Sequence, residues 1–394
     1  MKRLLVLGGS EFQIPLIKTA KKLGIYVGVV DIHSDAQACQ YADEVFEISL
    51  KDKEGVLDCA LKFQPDGITV GMVDVAIPAY AYVTTELGLP GMDIDTAIKA
   101  TDKFEMIKAF EASGVPCPWF RYVPKNEIND SLYGIGFPAI VKPVDMAGSR
   151  GIYLVNNISE LMSAMKHSSC ASDRGDIIIE EYMEGPEVSV EIIVKDGIPY
   201  VIQVTDKTTS GAPHFAEIGH LQPSQLPETT VAEIRKVASM AAKAIGLKNS
   251  LGHAELKITS QGPKMVEIGA RAGGDGIAEQ LIELSTGVSF SKVAIEIAFG
   301  ERISIPKHID NKASCIRFIL SKNGILQSIQ GVEKANEINN IKEVKITGII
   351  GQHYEDTVDN SGRIGYVISS AENAIDAKVA CDDAINTIIA KYAH

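Results

Sequence analysis

The first hundred residues alternate short apolar runs with helical patterns, and this alternation limits the possible folds more than any other feature. Leu4–Leu7 is a continuous apolar run that ends at a glycine turn, as a buried parallel strand does. A helical pattern covers residues 14–23, and a second apolar run at Tyr26–Val30 ends in Asp31. Weaker strand and helix patterns follow to about residue 87. The segment therefore predicts a small doubly wound α/β sheet.

The remaining residues predict mixed α/β and α+β structure. A helix–turn–helix passage spans residues 93–112, and Asp102 followed by Glu105 has capping-box spacing. Short strands with hairpin signals follow, and the last ninety residues combine strands with a helix predicted from Ala371 to the end, which suggests a separate α+β appendage. We expect three domains, with a lid lobe at about 115–185 inside the second: residues 1–100, 101–300 and 301–394.

Composition excludes several classes of function. The net charge of −13 argues against nucleic acid as a partner, because binding a phosphate backbone needs a broad basic surface. The six cysteines are scattered without metal-site spacing, which is typical of a reducing compartment. No apolar stretch approaches the length of a membrane span, so we expect no membrane partner and a cytoplasmic location. A homodimer is left open.

A lysine followed by a small-residue loop is the first candidate for binding chemistry. Lys142 ends a predicted buried strand, and the loop after it contains Gly148, Ser149 and Gly151. Such a loop lets backbone N–H groups approach a polyphosphate, and Lys142 would add a point charge. The segment lacks the Gly-Lys-Ser/Thr of a Walker loop. An ordinary glycine-containing hairpin with a lysine at its edge is the alternative.

An acidic segment between two apolar strands is the second candidate. It contains Glu180, Glu181, Tyr182 and Glu187. Carboxylates at the end of a strand can accept hydrogen bonds from an adenine amino group or from ribose hydroxyls. A charged connector between two strands is the alternative.

A pair of carboxylates on a predicted hairpin is the third candidate. If the turn is centred near Gln261, Glu255 and Glu267 face each other within about one residue of register. Like charges directly opposite on a sheet are destabilising, and a divalent cation shared with an ATP phosphate removes the repulsion. Arg271 and the Gly273-Gly274 pair suit an anion beside that cation. A sheet face with solvated carboxylates is the alternative.

Taken in order, these motifs resemble the ATP-grasp superfamily over residues 1 to about 300. The resemblance implies an ATP-grasp fold with an N-terminal pre-ATP-grasp domain, and it implies ATP with one or two Mg²⁺ (or Mn²⁺) ions. It assigns ATP binding to Lys103, Lys142 and the loop at 145–151, adenine and ribose binding to Glu180–Tyr182 and Glu187, and the metal to Glu255 and Glu267. The last residue of the pattern is Arg271, which would steady the substrate carboxylate and the later oxyanion.

Two features depart from the patterns they resemble. ATP-grasp members often have Glu-x-Asn-x-Arg, whereas this chain has glycine at position 269 between Glu267 and Arg271, which weakens the expectation of a second metal ion. The Gly8-Gly9-Ser10 turn lacks the full Gly-x-Gly-x-x-Gly pattern. We therefore interpret it as a structural or substrate-side turn rather than a dinucleotide site, despite the spacing of Asp31.

The C-terminal segment is similar to the small domain of ATP-grasp L-amino-acid ligases. Residues 316–319 and 361–368 carry this similarity. The polar stretch at 207–225 reads as a loop, and we expect its His214 and Glu217 to border the acceptor-substrate pocket. A surface loop with incidental histidines is the alternative.

The implied reaction is the ATP-dependent ligation of a small carboxylate to an amine. The carboxylate becomes an acyl phosphate, the amine or another nucleophile displaces phosphate, and ADP and phosphate are released, with Lys142 and Arg271 as catalytic residues. The alternatives are a carboxylating or formyl-transferring synthase of the purine pathway, a biotin-type carboxylase, an NAD oxidoreductase resting on Gly8, Gly9 and Asp31, and a non-catalytic nucleotide-binding regulator.

Overall fold

The N-terminal residues form a parallel sheet. The computed structural model describes residues 1–128, 134–146, 148, 150–211, 214, 216–305 and 309–393. The first four strands are β1 (Arg3–Leu7), β2 (Tyr26–Asp31), β3 (Glu44–Glu47) and β4 (Gly67–Thr69). They pair in the order β3-β2-β1-β4, all parallel.

Helices cover both faces of this sheet. The first three are α1 (Ile14–Lys22), α2 (Lys53–Phe63) and α3 (Ile77–Leu87). Leu4 and Val6 lie in one core cluster with residues of α1 and of a later helix, Phe290–Ala298, whereas Leu5 and Leu7 lie in another with α2 and α3. The alternation along β1 explains why the run is apolar throughout, and the predicted doubly wound sheet is confirmed.

A pair of helices links this sheet to the rest of the chain. They are α4 (Ile94–Thr101) and α5 (Lys103–Ala112). Asp102 caps α5, because its Oδ1 accepts hydrogen bonds from the backbone N–H groups of Phe104 at 2.9 Å and Glu105 at 3.0 Å. The backbone N–H of Lys103 donates to the carbonyl of Val144 at 2.8 Å. This bond fixes the start of α5 against the following lobe.

The next lobe is an antiparallel sheet covered by one helix. Its strands are β5 (Phe120–Val123), β6 (Ala139–Pro143), β7 (Tyr153–Val155) and β8 (Ile177–Glu181), and its helix is α6 (Ile158–Ala171). The strand order is β5-β8-β6-β7. Leu161, Ala164 and Met165 of α6 pack on Val141 and Ile179 of the sheet. We call this unit the lid lobe.

The centre of the molecule is a large antiparallel sheet. Its first strands are β9 (Glu187–Lys195), β10 (Ile198–Thr209), β11 (Glu217–Gln222), β12 (Ser250–Thr259) and β13 (Gly262–Gly269). The helices of this region are α7 (Glu228–Ala244), a π-helical turn (Ile277–Leu281) leading into α8 (Ile282–Thr286), and α9 (Phe290–Ala298). Val188, Val190 and Ile192 of β9 pack with residues of α5 and α7. The opposite face of β9 carries polar side chains.

The C-terminal residues extend this central sheet. Their elements are β14 (Ala313–Leu320), β15 (Gly324–Gln330), α10 (Val332–Asn336), β16 (Ile341–Ile346), β17 (His353–Tyr354), β18 (Arg363–Ala371), α11 (Ala374–Thr387) and β19 (Ile389–Ala393). The central sheet has the order β13-β12-β9-β10-β11-β14-β18-β16, and β17-β15-β19 form a small second sheet. The C-terminal α+β content is as expected, but the segment is not a separate appendage, because β11 pairs directly with β14.

Two sequence-based expectations about local structure are wrong. The stretch at 207–225 is not simply a loop, because it contains the end of β10 and all of β11, which pair with Lys207 opposite His220. The final helix ends at Thr387, and β19 follows it, paired with β15. Polar side chains on one face of β10 and β11 give this stretch the composition of a loop. Residues 389–393 form a strand only because they pair with β15. The residue boundaries of the three domains stay a prediction. No helix among the described residues is long and apolar enough to cross a membrane.

We predict that Ile316→Ala lowers the free energy of unfolding by about 2–5 kcal/mol, because Ile316 of β14 is fully buried where the C-terminal strands join the central sheet. Urea denaturation followed by circular dichroism measures the change. The matched control is Ile349→Ala, since Ile349 is 63% exposed and its truncation should cost less than about 0.5 kcal/mol. Equal losses in the two variants would contradict the central position of β14.

Candidate functional site

Strand alternation places a set of polar side chains on one face of the central sheet. Glu187, Ser189 and Glu191 of β9 point away from the core that contains Val188 and Val190. Register extends the set onto the neighbouring strands: Glu187 lies opposite Lys207 and Lys257, Ser189 opposite Glu255, and Glu191 opposite His253. The lid lobe faces this side of the sheet.

A cleft of ≈ 340 Å³ lies on this face, with wall residues from the N-terminal region, the lid lobe, the central sheet and the C-terminal segment. Ile140, Ile152, Met183 and Val266 give it an apolar part. Most predicted site residues line the cleft, including four of the five substrate candidates, which are His214, Glu217, Arg271 and Gly274. The others are Lys103, Lys142, Gly148, Glu180, Glu181, Tyr182, Glu187, Glu255 and Glu267. Residues far apart in the sequence therefore meet in one cleft.

Lys207 is the most deeply buried cation of the cleft. Its side chain is 2% exposed, and its Nζ lies 2.8 Å from Glu187 Oε1, 2.7 Å from Glu217 Oε1 and 3.0 Å from Glu255 Oε1. Burial disfavours the ammonium, but these carboxylates outweigh burial and raise the pKa of Lys207 well above its usual value. Lys207 therefore stays charged and forms ion pairs with three predicted site residues.

The two predicted metal carboxylates lie directly opposite each other. Glu255 of β12 and Glu267 of β13 are register partners, as the sequence predicts. Lys103 Nζ is 3.2 Å from Glu267 Oε2 and donates a hydrogen bond to the carbonyl of Met146 at 2.7 Å. The Lys103 ammonium lowers the pKa of Glu267 to about 2. Each carboxylate thus has a lysine partner, which removes the repulsion expected between them.

The lid lobe contributes a second buried ion pair. Lys142 is 4% exposed, and its Nζ lies 2.7 Å from Oε2 of Glu180 on the neighbouring strand. Glu181 pairs with Lys264 of β13 at 2.9 Å. Glu181 therefore connects the lid lobe to the central sheet, whereas Glu180 and Lys142 lie within the lid lobe.

The glycine loop after Lys142 is only partly included in the described residues. Gly148 lines the cleft with a φ of +70°, a conformation that favours glycine. Ser149 lies outside the described residues. Gly151 differs from the expectation, because a Cβ there would lie 2.8 Å from Cβ of Ala171 and 2.9 Å from Cγ of Pro143. Packing within the lid lobe therefore requires glycine at position 151. Gly151 is not part of the described cleft wall.

Arg271 stands where two cavities meet. Its Nε and Nη2 donate to the two carboxylate oxygens of Asp74 at 2.6 and 2.5 Å, a bidentate pair with the N-terminal region. Arg271 and Glu267 also line a second cavity of ≈ 300 Å³, bounded by Val75, Pro78 and other N-terminal residues. Arg271 is therefore part of the wall of both cavities.

Gly273 does not face the cleft as predicted. Its backbone N–H donates to Glu191 Oε2 at 2.9 Å, so that it is unavailable to a substrate anion. The other oxygen of Glu191 contacts His253 Nδ1. Burial disfavours the imidazolium, but the Glu191 carboxylate outweighs burial and raises the pKa of His253 to about 10. Gly274, by contrast, lines the cleft and has open space around it.

One end of the cleft is formed with the C-terminal segment. Arg363 Nη1 lies 2.9 Å from Asp275 Oδ2, and its Nη2 lies 3.5 Å from Glu217 Oε2. Burial opposes ionisation of Glu217, but Lys207 outweighs burial and holds the pKa of Glu217 well below its usual range. Burial and the Glu217 charge raise the pKa of Asp275. Asn360 Oδ1 accepts the backbone N–H of Glu217 at 3.1 Å. The acceptor-side prediction for Glu217 therefore stays open.

Several residues of the site were not predicted. His253 lies within the hairpin motif that contains Glu255, and this position was the available signal for it. Lys207 lies in the stretch that was interpreted as a loop. Asp74 and Arg363 carried no local signal, because their partners are 197 residues away in Arg271 and 146 residues away in Glu217. Only the fold brings these pairs together.

The Gly8-Gly9 turn is filled by the protein itself. The Gln13 side chain is fully buried between the ends of β1 and β4, and its Nε2 donates to the carbonyls of Leu7 at 3.3 Å and Val70 at 3.4 Å. Asp31 Oδ2 accepts the backbone N–H of Gly9 at 2.7 Å. A dinucleotide needs both this space and this carboxylate. The interpretation as a structural turn therefore fits the geometry better than a nicotinamide site does.

Comparison with known proteins identifies two regions of the chain. A family model described as ATP-grasp domain matches residues 135–279, and one described as L-amino acid ligase C-terminal domain 2 matches residues 317–393. The chain is 26% identical to an alanine–anticapsin ligase of Bacillus subtilis over 66% of its own length and 60% of that protein. The chain thus spans about 60% of the length of that relative.

Two further similarities extend over nearly the whole chain. A formate-dependent phosphoribosylglycinamide formyltransferase of Prochlorococcus marinus is 25% identical over 98% of this chain and 97% of that protein. The crystal structure of an L-amino acid ligase from Bacillus licheniformis superposes with a TM-score of 0.86 at 22% identity, covering 100% of this chain and 99% of that one. The similarity to the L-amino acid ligase structure shows that the two chains share a fold.

We predict that Gly273→Ala destabilises the site whereas Gly274→Ala does not. A Cβ at position 273 would lie 2.7 Å from His253 Nδ1 and would also press on Glu191, whereas no atom lies within 4 Å of a Cβ at 274. The expected loss for Gly273→Ala is about 1–3 kcal/mol, measured by urea denaturation. Similar stability of the two variants would contradict the packing of Gly273 on Glu191.

Proposed function

We propose that this chain, which carries an ATP-grasp domain followed by an L-amino acid ligase C-terminal domain, ligates a carboxylate to an amine at the expense of ATP. The observation that carries the proposal is the convergence of Lys103, Lys142, Lys207 and Arg271 in one cleft. Each has carboxylate partners there. Buried cations that keep carboxylates as partners can exchange them for phosphate and substrate oxygens.

The charge of the cleft supports a requirement for a divalent cation. Eight carboxylates but only five lysine or arginine side chains line its described wall: Asp74, Glu180, Glu181, Glu187, Glu217, Glu255, Glu267 and Asp275 against Lys103, Lys142, Lys207, Lys257 and Arg271. Excess negative charge in the cleft repels a polyphosphate, and added cations remove that repulsion. Paired carboxylate oxygens suit Mg²⁺ or Mn²⁺, and we assign Glu255 and Glu267 to hold it. Bound metal would neutralise phosphate charge.

The number of metal ions is proposed as one. Gly269 stands where an asparagine would complete a second ion's ligands, and a Cβ there would lie 3.1 Å from Asp74 Oδ1. A longer side chain at this position would therefore disturb the Asp74–Arg271 pair. A second ion would need water in place of the missing ligand.

The proposed nucleotide contacts follow from the lining of the cleft. Ile140, Ile152, Met183 and Val266 form an apolar slot beside Tyr182 that suits an adenine ring. Glu187 would accept bonds from ribose hydroxyls. Lys103, Lys142 and Lys207 would contact the phosphates, with the described part of the glycine loop, Gly148, beside them. Such contacts stabilise the charge that develops during phosphoryl transfer.

The proposed reaction has two steps. A carboxylate oxygen of the first substrate attacks the γ-phosphorus, the bond from that phosphorus to the β,γ-bridging oxygen breaks, and ADP is formed. The nitrogen of the amine then attacks the carbonyl carbon of the acyl phosphate. The carbon–nitrogen bond forms, the carbon–oxygen bond to phosphate breaks, and the nitrogen loses a proton. Arg271 would orient the carboxylate and stabilise the oxyanion, and the lid lobe would exclude water.

A purine-pathway synthase is the second candidate. The formyltransferase relative aligns over nearly the whole chain, which favours this alternative. The C-terminal match to residues 317–393 favours the ligase, because this segment supplies Arg363 and Asn360 at the end of the cleft. We also propose that the substrates are small molecules. A homodimer is compatible with this proposal.

We predict that Lys142→Ala and Glu267→Ala each reduce ADP formation by at least about 100-fold, because each removes a charge from the phosphate and metal part of the cleft. A coupled assay for ADP measures the rates, and circular dichroism checks the fold. Lys99→Ala is the control, since Lys99 pairs only with Asp95 on the surface of α4 among the described residues. Wild-type turnover in either cleft variant would overturn the site assignment.

We predict that phosphate release from ATP requires a carboxylic acid together with an amine. A matrix of carboxylic acids and amino acids, assayed for phosphate and for the coupled product, identifies the pair. Turnover with glycinamide ribonucleotide and formate, or with aminoimidazole ribonucleotide and bicarbonate, would identify a purine-pathway synthase instead. ATP hydrolysis that needs bicarbonate alone would indicate a carboxylase. Tight ATP binding without ADP release under any condition would indicate a regulator, and tight nicotinamide binding an oxidoreductase.

A further inference from the structure

Glu191 and His253 form a buried pair directly beside the proposed metal carboxylates. They are register partners on β9 and β12, on the face that carries the cleft. Glu191 is fully buried and His253 is 6% exposed. Among the described residues, no lysine or arginine pairs with Glu191; its oxygens contact His253 Nδ1 and the backbone N–H of Gly273. The Glu191–His253 pair is therefore buried on the face of the sheet that carries the cleft.

The second ring nitrogen of His253 reaches Glu255. His253 Nε2 lies 3.2 Å from Glu255 Oε1, the same oxygen that lies 3.0 Å from Lys207 Nζ. The contact follows from the strand, because residues 253 and 255 are two apart on β12 and share a face. A continuous chain of contacts thus runs from Glu191 through His253 to Glu255.

The other arm of the pair reaches the turn that carries Arg271. Gly273 packs so closely on Glu191 and His253 that it has no room for a Cβ. Arg271 Nη1 donates to the carbonyl of Ala272 at 2.8 Å, within the same turn. Glu191 therefore contacts both sides of the reaction centre: Glu255 through His253, and Arg271 through the backbone at 272–273.

A merely structural role for this pair is the simpler alternative. A buried ion pair contributes little stability on average, because desolvation offsets the attraction between the charges. Side chains that contact a metal ligand, in contrast, orient it and change the affinity for the metal. The contacts of His253 with Glu255 and of Glu191 with the 272–273 backbone favour this second role.

We propose that Glu191 and His253 are positioning residues that hold Glu255 for the divalent cation and hold the turn of Arg271 for the substrate carboxylate. The inference rests on the proposed function, since it assumes that Glu255 and Glu267 bind the metal. Neither residue touches a reacting atom. Their effect acts through Glu255 and through the backbone of Gly273.

The experiment measures Mn²⁺ affinity by electron paramagnetic resonance on the full chain, with ADP present. His253→Ala and Glu191→Ala should weaken Mn²⁺ binding by about 10- to 100-fold, the usual effect of losing a residue that orients a ligand. ADP affinity measured without metal should change less than about twofold. Glu191→Gln keeps an acceptor for the Gly273 N–H and should recover part of the Mn²⁺ affinity.

The matched control is Ser285→Ala. Ser285 is fully buried and donates to Gln222 Oε1 at 2.9 Å, so that its loss also breaks a buried polar contact, away from the cleft wall. It should leave the Mn²⁺ affinity within about twofold of the wild type. If His253→Ala does not fold, His253→Gln, whose amide can contact Glu255, should still bind Mn²⁺ more weakly than the control.

Two outcomes separate this inference from the proposed function. Mn²⁺ affinity within twofold of wild type in the folded variants of both Glu191 and His253 overturns the positioning role and leaves the proposed function intact. Absence of Mn²⁺ binding to the wild-type chain with ADP overturns the metal site of the proposed function, and the positioning role with it.

Discussion

The cleft depends on cations that are buried next to more carboxylates than they can neutralise. Lys207 is 2% exposed and touches carboxylates of Glu187, Glu217 and Glu255. An isolated ammonium at this depth would be very unfavourable, so the central sheet must provide these anions. Buried negative and positive side chains therefore lie next to each other in the cleft. A metal–polyphosphate ligand also carries charges of both signs, so it can pair with both kinds of side chain. The rest of the structure serves to bring these groups together from separate segments.

Strand geometry explains how so many charges share one face. Strands β9, β10 and β12 send alternate side chains to the α5–α7 core and to the cleft, so apolar residues such as Val188 and Val190 alternate with Glu187 and Glu191. Antiparallel register then aligns the polar positions across β9, β10 and β12. Because the pattern has a period of two, a slip of one residue would bury the charges in the apolar core.

The walls of the cleft come from three further segments, and this division suits a reaction with two substrates. The lid lobe contributes Lys142 and Glu180, the N-terminal region contributes Asp74, and the C-terminal segment contributes Asn360. Arg363 of the same segment pairs with Asp275 of the cleft wall. In the proposed function, the nucleotide would lie between the lid lobe and the central sheet. The carboxylate and amine substrates would lie where the N-terminal and C-terminal segments meet Arg271 and Glu217.

The sequence by itself determined most of the local elements and the pairing of Glu255 with Glu267. Continuous apolar runs predicted the parallel sheet, and the spacing of Glu255 and Glu267 about a tight turn predicted their register, because both are short-range properties. The tertiary structure alone decided that β11 pairs with β14, that residues 389–393 form a strand, and that Gly273 faces Glu191. It also decided the partners of Arg271 and Lys207. Such pairings join residues far apart along the chain, and their stability comes from burial and charge balance that no local pattern encodes.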